Sequence, residues 1–432
     1  RYNIYSSEWP VANRAIELYL QKKSENEGWE RQINGLSNNE KANLLLEKHT
    51  FKELLADVEQ RNLQNNIVGL EASRLFARSE INMGVDAFRD SLYAMLKRNT
   101  FLNIKFENML DTLGEMSRTD LYSYLKEWEQ LTPLPFYSIG EPELTKVVNK
   151  GGEEFFVLKV LVSNNSDYDG IIQMNVLQNG WWYQPMEDPR ARKKVEIAAH
   201  TSKEFVSVWE EQIRDVEINT MVSGNLPYMI RQSIGNVKQE RNKIVKDTIY
   251  TLPESSLEMP GEVIVDNEDS TLFVLSTPAV VGLLPKWLDK VEDTSFKYSG
   301  ISWWRAPLQW TATTNAKYYG KYIRSAYVIK SGDGSQTATW KIPVPEAGQY
   351  ELYYHVFKDD ELRWNDRLQG EYHFRVAYDS EMEDAYINLR KANEGWEQLG
   401  TYYFSADTVR VVLTDECKLR SVTADAVKIV KR

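Results

Sequence analysis

Cysteine is nearly absent from this chain of 432 residues: Cys417 stands alone, which excludes an internal disulfide framework. A half-buried position in a sheet suits such a thiol. Histidine is almost as scarce. His49, His200, His355 and His373 are the only four, and no two are four residues apart. No helix face can therefore offer the paired imidazoles of a His-Glu-x-x-His zinc site. The stretch His49-Thr50-Phe51-Lys52-Glu53 holds one His and one Glu and cannot build it. A serine elbow (Gly-x-Ser-x-Gly) and a phosphate loop (Gly-x-x-x-x-Gly-Lys-[Ser/Thr]) are also missing, and Gly332-Asp333-Gly334 reads as a turn. No apolar run reaches the roughly 18 residues a membrane helix needs. The nearest, Ser270 to Pro285, is uncharged but broken by Pro278 and Pro285. Positive charge is in deficit, with 52 Lys and Arg against 63 Asp and Glu, a net charge of -11 and a pI near 5.2. That balance argues against nucleic acid and against anionic membrane surfaces, which both demand clustered cations. The chain begins with Arg1 and shows no signal peptide, so the expectation is a removed leader or a segment of something longer.

What is abundant is aromatic. There are 13 Trp and 24 Tyr, residues that suit either sandwich cores or binding surfaces, because each ring carries a polar tip. At roughly 100–200 residues per domain the length predicts two to four domains. The first third has helical periodicity: Leu44, Phe51, Leu55 and Val58, then Val85, Phe88, Leu92, Met95 and Leu96, then Leu121, Tyr124, Leu125 and Trp128. Ser117 and Thr119 are expected to cap the helix that carries Trp128, and Pro133 and Pro135 end the helical region.

The period then becomes two. Phe156, Leu158, Val160 and Val162 alternate with Phe155, Val157, Lys159 and Leu161, and Asn164-Asn165-Ser166-Asp167 turns the chain into Ile171–Leu177. Val195–Ile197, Glu204–Val208 and Asp215–Asn219 continue the pattern. A charged stretch, Gln232 to Asp247, and a linker, Pro253 to Gly261, follow. The last section is β-rich again, through Ala338–Ile342, Glu351–Val356, Tyr372–Tyr378, Gln398–Phe404, Thr408–Leu413 and Ala426–Val430.

Five blocks of that last section, in order, are Val263–Asn267, Ala338–Pro345, Ala347–Tyr353, Gly395–Phe404 and Ala424–Ile429. They resemble the golvesin C-terminal domain, also described as the carbohydrate-binding-like domain of xanthan lyase. The resemblance implies a β-sandwich with a carbohydrate-binding-like role, and Ser276 to Leu308 is longer than that pattern expects. Residues 60–235 are similar, through shorter motifs, to the C-terminal side of gluzincin aminopeptidases. Those motifs are Met83–Phe88 with Leu96-Lys97, Asp120–Trp128 before Pro133 and Pro135, and Asn225-Leu226-Pro227. On that resemblance the zinc motif would lie before Arg1 or be lost.

Candidate chemistry is sparse. Asp359-Asp360-Glu361 and Glu381 to Asp384 read as solvated loop charges. Asp266, Asn267, Asp269 and Asp293 carry oxygens that suit Ca²⁺ but follow no EF-hand spacing, so they read as turn caps, and Asp425 reads as a backbone cap before the last strand. The carbohydrate candidates are aromatic, since sugar C–H faces stack on Trp and Tyr. They are Trp303, Trp304, Arg305, Trp310, Tyr318 and Tyr319, with Tyr322 and Arg324 nearby, and a second group at Trp181 and Trp182 between Gly180 and Pro185. The alternative is that these rings fill cores, where Trp340 and Trp396 already belong by their strand-like surroundings.

The expected architecture is multi-domain α+β. It comprises an N-terminal helical region (1–137), an antiparallel β-sandwich with a helical or charged extension (138–250) and a golvesin-like antiparallel β-sandwich (261–432). The expected function is a non-catalytic region of a cell-envelope protein, extracytoplasmic in a Gram-negative bacterium and, by the resemblance, of the Bacteroidota. Its partner is expected to be a polysaccharide or an envelope protein. No catalytic residue, metal, cofactor, nucleic-acid partner or membrane span is expected within the chain. Two alternatives stand beside it: the C-terminal portion of a zinc aminopeptidase-like protein, and a polysaccharide-degrading enzyme.

Overall fold

Alternation of apolar and polar residues decides most of the architecture, because it forces each strand to bury one face. The computed structural model describes residues 2–21, 27–177, 188–241, 245–254, 257, 261–276, 296–301, 305–358 and 370–432. They fall into two units, one formed by residues 1–25 and 38–257, the other by 26–37 and 258–432.

The first unit opens with β1 (Asn3–Tyr5) and α1 (Ala12–Leu20); α2 (Glu27–Asn34) belongs to the second unit. Helices α3 (Asn38–Leu46), α4 (Phe51–Ala56), α5 (Gln64–Met83) and α6 (Val85–Arg98) follow, then β2 (Asn103–Lys105), α7 (Phe106–Ser117) and α8 (Leu121–Lys126). The spacing Leu44 to Val58 is split: Thr50 and Glu53 form a reciprocal capping box that starts α4 afresh, and Val58 lies exposed beyond its end. The cap of α8 is Asp120, whose carboxylate accepts from the Ser123 N–H at 3.1 Å, rather than Ser117 or Thr119. Ser117 is instead the last residue of α7, three residues before that cap position, and its hydroxyl bonds the Leu113 carbonyl and Ser79. Trp128 sits in a single 3₁₀ turn after α8 and is buried against Trp9, Phe51 and Phe106.

Strands β3 (Tyr137–Ile139), β4 (Glu143–Val148), β5 (Glu154–Asn164), β6 (Gly170–Leu177), β7 (Arg192–Ile197), β8 (Thr201–Trp209), β9 (Asp215–Asn219) and β10 (Met229–Ser233) come next, with β11 (Lys238–Arg241) and β12 (Thr248–Pro253). They form two sheets, β10-β9-β6-β7 and β11-β4-β5-β8-β12, with β3 added on β5. Leu158, Val160, Val162 and Phe205 from one sheet meet Ile172, Met174, Val176 and Ile218 from the other. This arrangement is consistent with a sandwich. The charged stretch after Gln232 is not merely an extension: β11 pairs parallel with β4, and β12 runs antiparallel to β8 through Pro253, where a linker was expected. Buried Asn225 bridges the backbone of Tyr137. Its Oδ1 accepts from the Tyr137 N–H at 2.9 Å and its Nδ2 donates to the Tyr137 carbonyl at 2.7 Å.

The second unit contains β13 (Glu262–Val265), β14 (Phe273–Leu275), β15 (Thr311–Thr314), β16 (Ser325–Lys330), β17 (Thr337–Pro343) and β18 (Gly348–Val356). It continues with β19 (Glu371–Tyr378), β20 (Glu381–Asn388), β21 (Gly395–Phe404), β22 (Thr408–Thr414), β23 (Ser421–Ala424) and β24 (Val427–Lys431). The sheets are β13-β24-β18-β21, β14-β17-β22-β19-β20 and β15-β16-β23. Trp340, Tyr354, Phe374, Val411 and Ile429 are central to the shared core. Glu381 to Asp384 are a strand rather than a loop: β20 pairs residue by residue with β19 and keeps its charges in solvent as the sheet's edge. Cys417 is half-buried just past β22, packed on that core.

Residues 26–37 are fitted to this unit by glycine. Gly35 has φ +78°, and a Cβ there would collide with the backbone of Ser299, while a Cβ on Gly300 would collide with the carbonyl of Ile33. Thr314 Oγ1 closes the contact by donating to the Gly35 carbonyl at 2.9 Å. Gly300→Ala is therefore expected to destabilise the second unit by about 1–3 kcal/mol through overpacking, measured by urea denaturation of the whole chain. Asn225→Ala leaves two backbone groups without their partner and is expected to cost about 1–3 kcal/mol in the same assay.

Candidate functional site

Strand β18 points Tyr350, Leu352, Tyr354 and Val356 into the core, so Glu351, Tyr353 and His355 face outward. Its neighbour β21 carries a bulge. Leu352 pairs with Gly400 but Tyr353 pairs with Gln398, which leaves Leu399 as the extra residue. The bulge reverses facing along β21. Tyr402 and Phe404 pack on the core, whereas Trp396, of the same parity, is opposite His355 on the outer face. On the other side of β18, Lys428 of β24 is opposite Tyr353.

These residues make an aromatic shelf. The Lys428 ammonium lies 4.8 Å from the Trp396 ring centroid and 5.4 Å from that of Tyr353, and it is anchored by Glu262 at 2.7 Å. The Trp396 ring meets His355 edge-on at 5.2 Å and Tyr319 at 5.0 Å. Tyr319 comes from the loop after β15 and is held by Asp425. Both carboxylate oxygens of Asp425 accept from the Tyr319 N–H at 3.2 Å, and Oδ2 lies 2.8 Å from His355 Nδ1. In the tautomer that donates from Nδ1 to this carboxylate, Nε2 is left as the acceptor. Asp425 is fully buried, and its main-chain carbonyl also accepts from the Trp340 indole N–H at 3.2 Å. Burial pushes its carboxyl above the usual range, against the pull of His355 and the Tyr319 N–H.

Residues 304–431 match the family model of the Golvesin C-terminal domain. The shelf lies within this golvesin-type segment, except for Glu262, and the block Val263–Asn267 precedes the match. No curated protein matches the chain. Among solved structures, a β-glucuronidase of Bacteroides uniformis is similar at 12% identity, with 73% of this chain and 32% of that enzyme covered and a TM-score of 0.20. A calcium-binding mutant of B. uniformis β-glucuronidase 2 gives 11%, 72%, 32% and 0.20. Sulfolobus Turreted Icosahedral Virus gives 9%, 69%, 92% and 0.15. The chain spans about a third of the length of the two enzymes, and likenesses this slight say nothing about activity.

The sequence candidates of the golvesin-type segment are dispersed. Trp304, like Trp303, Trp181 and Trp182 outside the segment, lies outside the described residues. Arg305 is exposed. Trp310 is half-buried against the core, with its indole N–H enclosed and unpartnered among the described residues. Tyr318 is buried against Phe357 at 4.7 Å. Among the described candidates only Tyr319 joins the shelf. Trp340 is core, as expected, but Trp396 is not: the bulge at Leu399 turns it outward. His355 and Tyr353 were not singled out by sequence, although their alternation with Leu352 and Tyr354 already set them on the opposite face.

Asp425 goes beyond a backbone cap, since it also orients His355. Asp266 and Asp269 are turn caps: Asp266 accepts from the Asn267 N–H at 2.7 Å, and Asp269 accepts from the Asp266 N–H at 2.9 Å. Among the described residues no group of three or more His, Cys, Asp or Glu is placed to hold a metal, and Asp293 lies outside them. Elsewhere, in the first unit, a cleft opens beside Arg74, Arg78, Tyr124 and Glu127. Its cations are already committed, Arg74 to Glu127 at 3.2 Å and Arg78 to Glu196 at 3.0 Å.

Crowding around the Asp266 carboxyl, then the neighbouring Asp425, Glu268 and Asp269, hold it well above the usual carboxylate range. A raised acid binds more protons folded than unfolded, so this group's contribution to stability is greatest below its unfolded value and is lost as pH rises through the folded one. Asp266→Asn keeps the oxygen that accepts from Asn267 and removes the charge. Its thermal midpoint is expected to match the parent near pH 3.5 and to exceed it increasingly toward pH 7, as followed by calorimetry across that range.

Proposed function

We propose that the chain is a non-catalytic region of a bacterial cell-envelope protein whose golvesin-type segment binds carbohydrate on the shelf of Tyr319, Tyr353, His355, Trp396 and Lys428. The observation that carries this reading is the outward turn of Trp396 by a β-bulge inside a segment that matches a carbohydrate-binding-like family. A half-exposed indole offers a sugar ring a flat apolar contact, and the polar groups at its border are the His355 imidazole, bonded to Asp425, and the Lys428 ammonium, bonded to Glu262. Ligand sites of this kind are built on rigid strands, and His355, Trp396 and Lys428 stand on three adjacent ones.

The finer architecture belongs to the same proposal: a helical region over 1–137, a β-sandwich over 138–250 and a golvesin-like β-sandwich over 261–432. An extracytoplasmic location, in the periplasm or at the surface of a Gram-negative cell, fits a polysaccharide partner. Among the described residues no helix is long and apolar enough to cross a membrane. The gluzincin resemblance of residues 60–235 and a polysaccharide-degrading activity gain no specific support from the geometry.

The test is titration of the whole chain with a panel of neutral polysaccharides, beside Trp396→Ala and a Trp303→Ala/Trp304→Ala variant, each verified as folded by near-ultraviolet circular dichroism. Saturable binding is expected, weakened at least about tenfold in Trp396→Ala, the equivalent of about 1.4 kcal/mol or more. Binding lost only in the Trp303/Trp304 variant would move the site off the shelf. No glycan bound at all would sink the carbohydrate reading.

A further inference from the structure

The outer face of the sheet β14-β17-β22-β19-β20 gathers three cations on adjacent strands. Its strands turn Ala338, Trp340, Ile342, Phe374, Val376, Val411 and Leu413 inward. By alternation Lys341, Arg410 and Arg375 are outward on three adjacent strands. Lys341 is directly opposite Arg410 in the register, and Arg410 is opposite Ala377, two residues along β19 from Arg375. Like charges directly opposite one another in a sheet are destabilising. None of these three cations has a hydrogen bond or ion pair to a described residue, and the Arg375 Nε–H is enclosed without a partner. The face also carries acids: Asp384 is directly opposite Arg375 in the register and Glu371 lies further along β19, but Asp384 bonds His373 Nε2 at 2.8 Å, Glu371 accepts from Asn388 at 3.2 Å, and Glu416 lies 3.4 Å from His373 Nδ1. His373 in turn stacks flat on Tyr386, at 4.9 Å and 9°, and Tyr386 is 58% exposed. Thr339, Val412 and Ala377 stand between the cations in the register; Arg410 is exposed, and Lys341 and Arg375 are part-buried.

We propose that this face binds an acidic polysaccharide, with carboxylate or sulfate groups of the glycan bonded by Lys341, Arg375 and Arg410 and a sugar ring laid on Tyr386. Guanidinium forks match both oxyanions in a bidentate manner, and a glycan that carries them at intervals supplies the ion pairs that these cations do not make with the described residues. The proposal rests on the carbohydrate-binding reading of the second unit and adds a charge class and a second face, separate from the Trp396 shelf.

The experiment titrates the whole chain with polygalacturonate for carboxylate, dextran sulfate for sulfate, and neutral dextran, at low and at physiological salt. The variant is Arg375→Gln/Arg410→Gln. The control, Lys246→Gln/Lys330→Gln, makes the same change in net charge outside that sheet. Arg375→Lys/Arg410→Lys reports on folding and on the fork. The parent is expected to bind at least one acidic glycan, more weakly as salt screens the charges. The Gln pair is expected to lose at least about tenfold in affinity, the control less than about twofold, and the Lys pair to recover part of the loss. Equal losses in the Gln pair and the control, or no acidic glycan bound by the parent, would overturn the proposal. Loss of neutral-glycan binding in Trp396→Ala with acidic binding intact separates the two faces. Acidic binding that depends on the arginines without any neutral binding leaves this face standing and removes the shelf.

Discussion

A carboxylate with no exposed surface organises the golvesin-type segment. Asp425 precedes β24 at the point where the chain leaves one sheet for another, and burying it demands partners. The Tyr319 N–H and the His355 imidazole supply them, while its own carbonyl takes the indole proton of Trp340. One residue thus ties a loop, two strands and the largest core side chain together. The loop can place the Tyr319 ring against Trp396 only because its backbone is held there. Burial raises the Asp425 carboxyl above the usual range while His355 and the Tyr319 N–H pull it back. Buried polar groups that cost stability are acceptable where their geometry specifies a surface.

Much of the fold was legible because the physics is local. Alternation in Phe155–Val162 and Tyr350–Val356 fixes which side of a strand is buried, and Pro133 and Pro135 end the helices for covalent reasons. The failures are equally physical. Ser117 is a good cap by composition, but it is the last residue of α7, and Asp120, three residues on, takes the role. The Glu381–Asp384 run looks like a loop because an edge strand facing water needs no apolar residues there. The parallel addition of β11 to β4 depends on partners far apart in sequence, which no local pattern encodes.

The site illustrates the same limit more sharply. Strict period two puts Trp396 in phase with Tyr402 and Phe404 and hence in the core. A single extra residue, Leu399, breaks that phase, and register is visible only once β18 is beside β21. Composition pointed to aromatic residues near Tyr319 but could not tell a ring that packs, such as Tyr318, from one that lines a surface. Lys341, Arg375 and Arg410 are unremarkable in sequence, separated as they are by tens of residues. Only strand order makes them neighbours.

The carbohydrate reading places a glycan on the outer face of β24-β18-β21. Indole N–H resonances of the ¹⁵N-labelled chain, with that of Trp396 assigned through Trp396→Phe, test it most directly. On titration with a bound glycan the Trp396 signal is predicted to shift progressively and saturably, while that of Trp340, buried beneath, stays in place. Saturable shifts confined to other tryptophans, with Trp396 unmoved, would contradict the account.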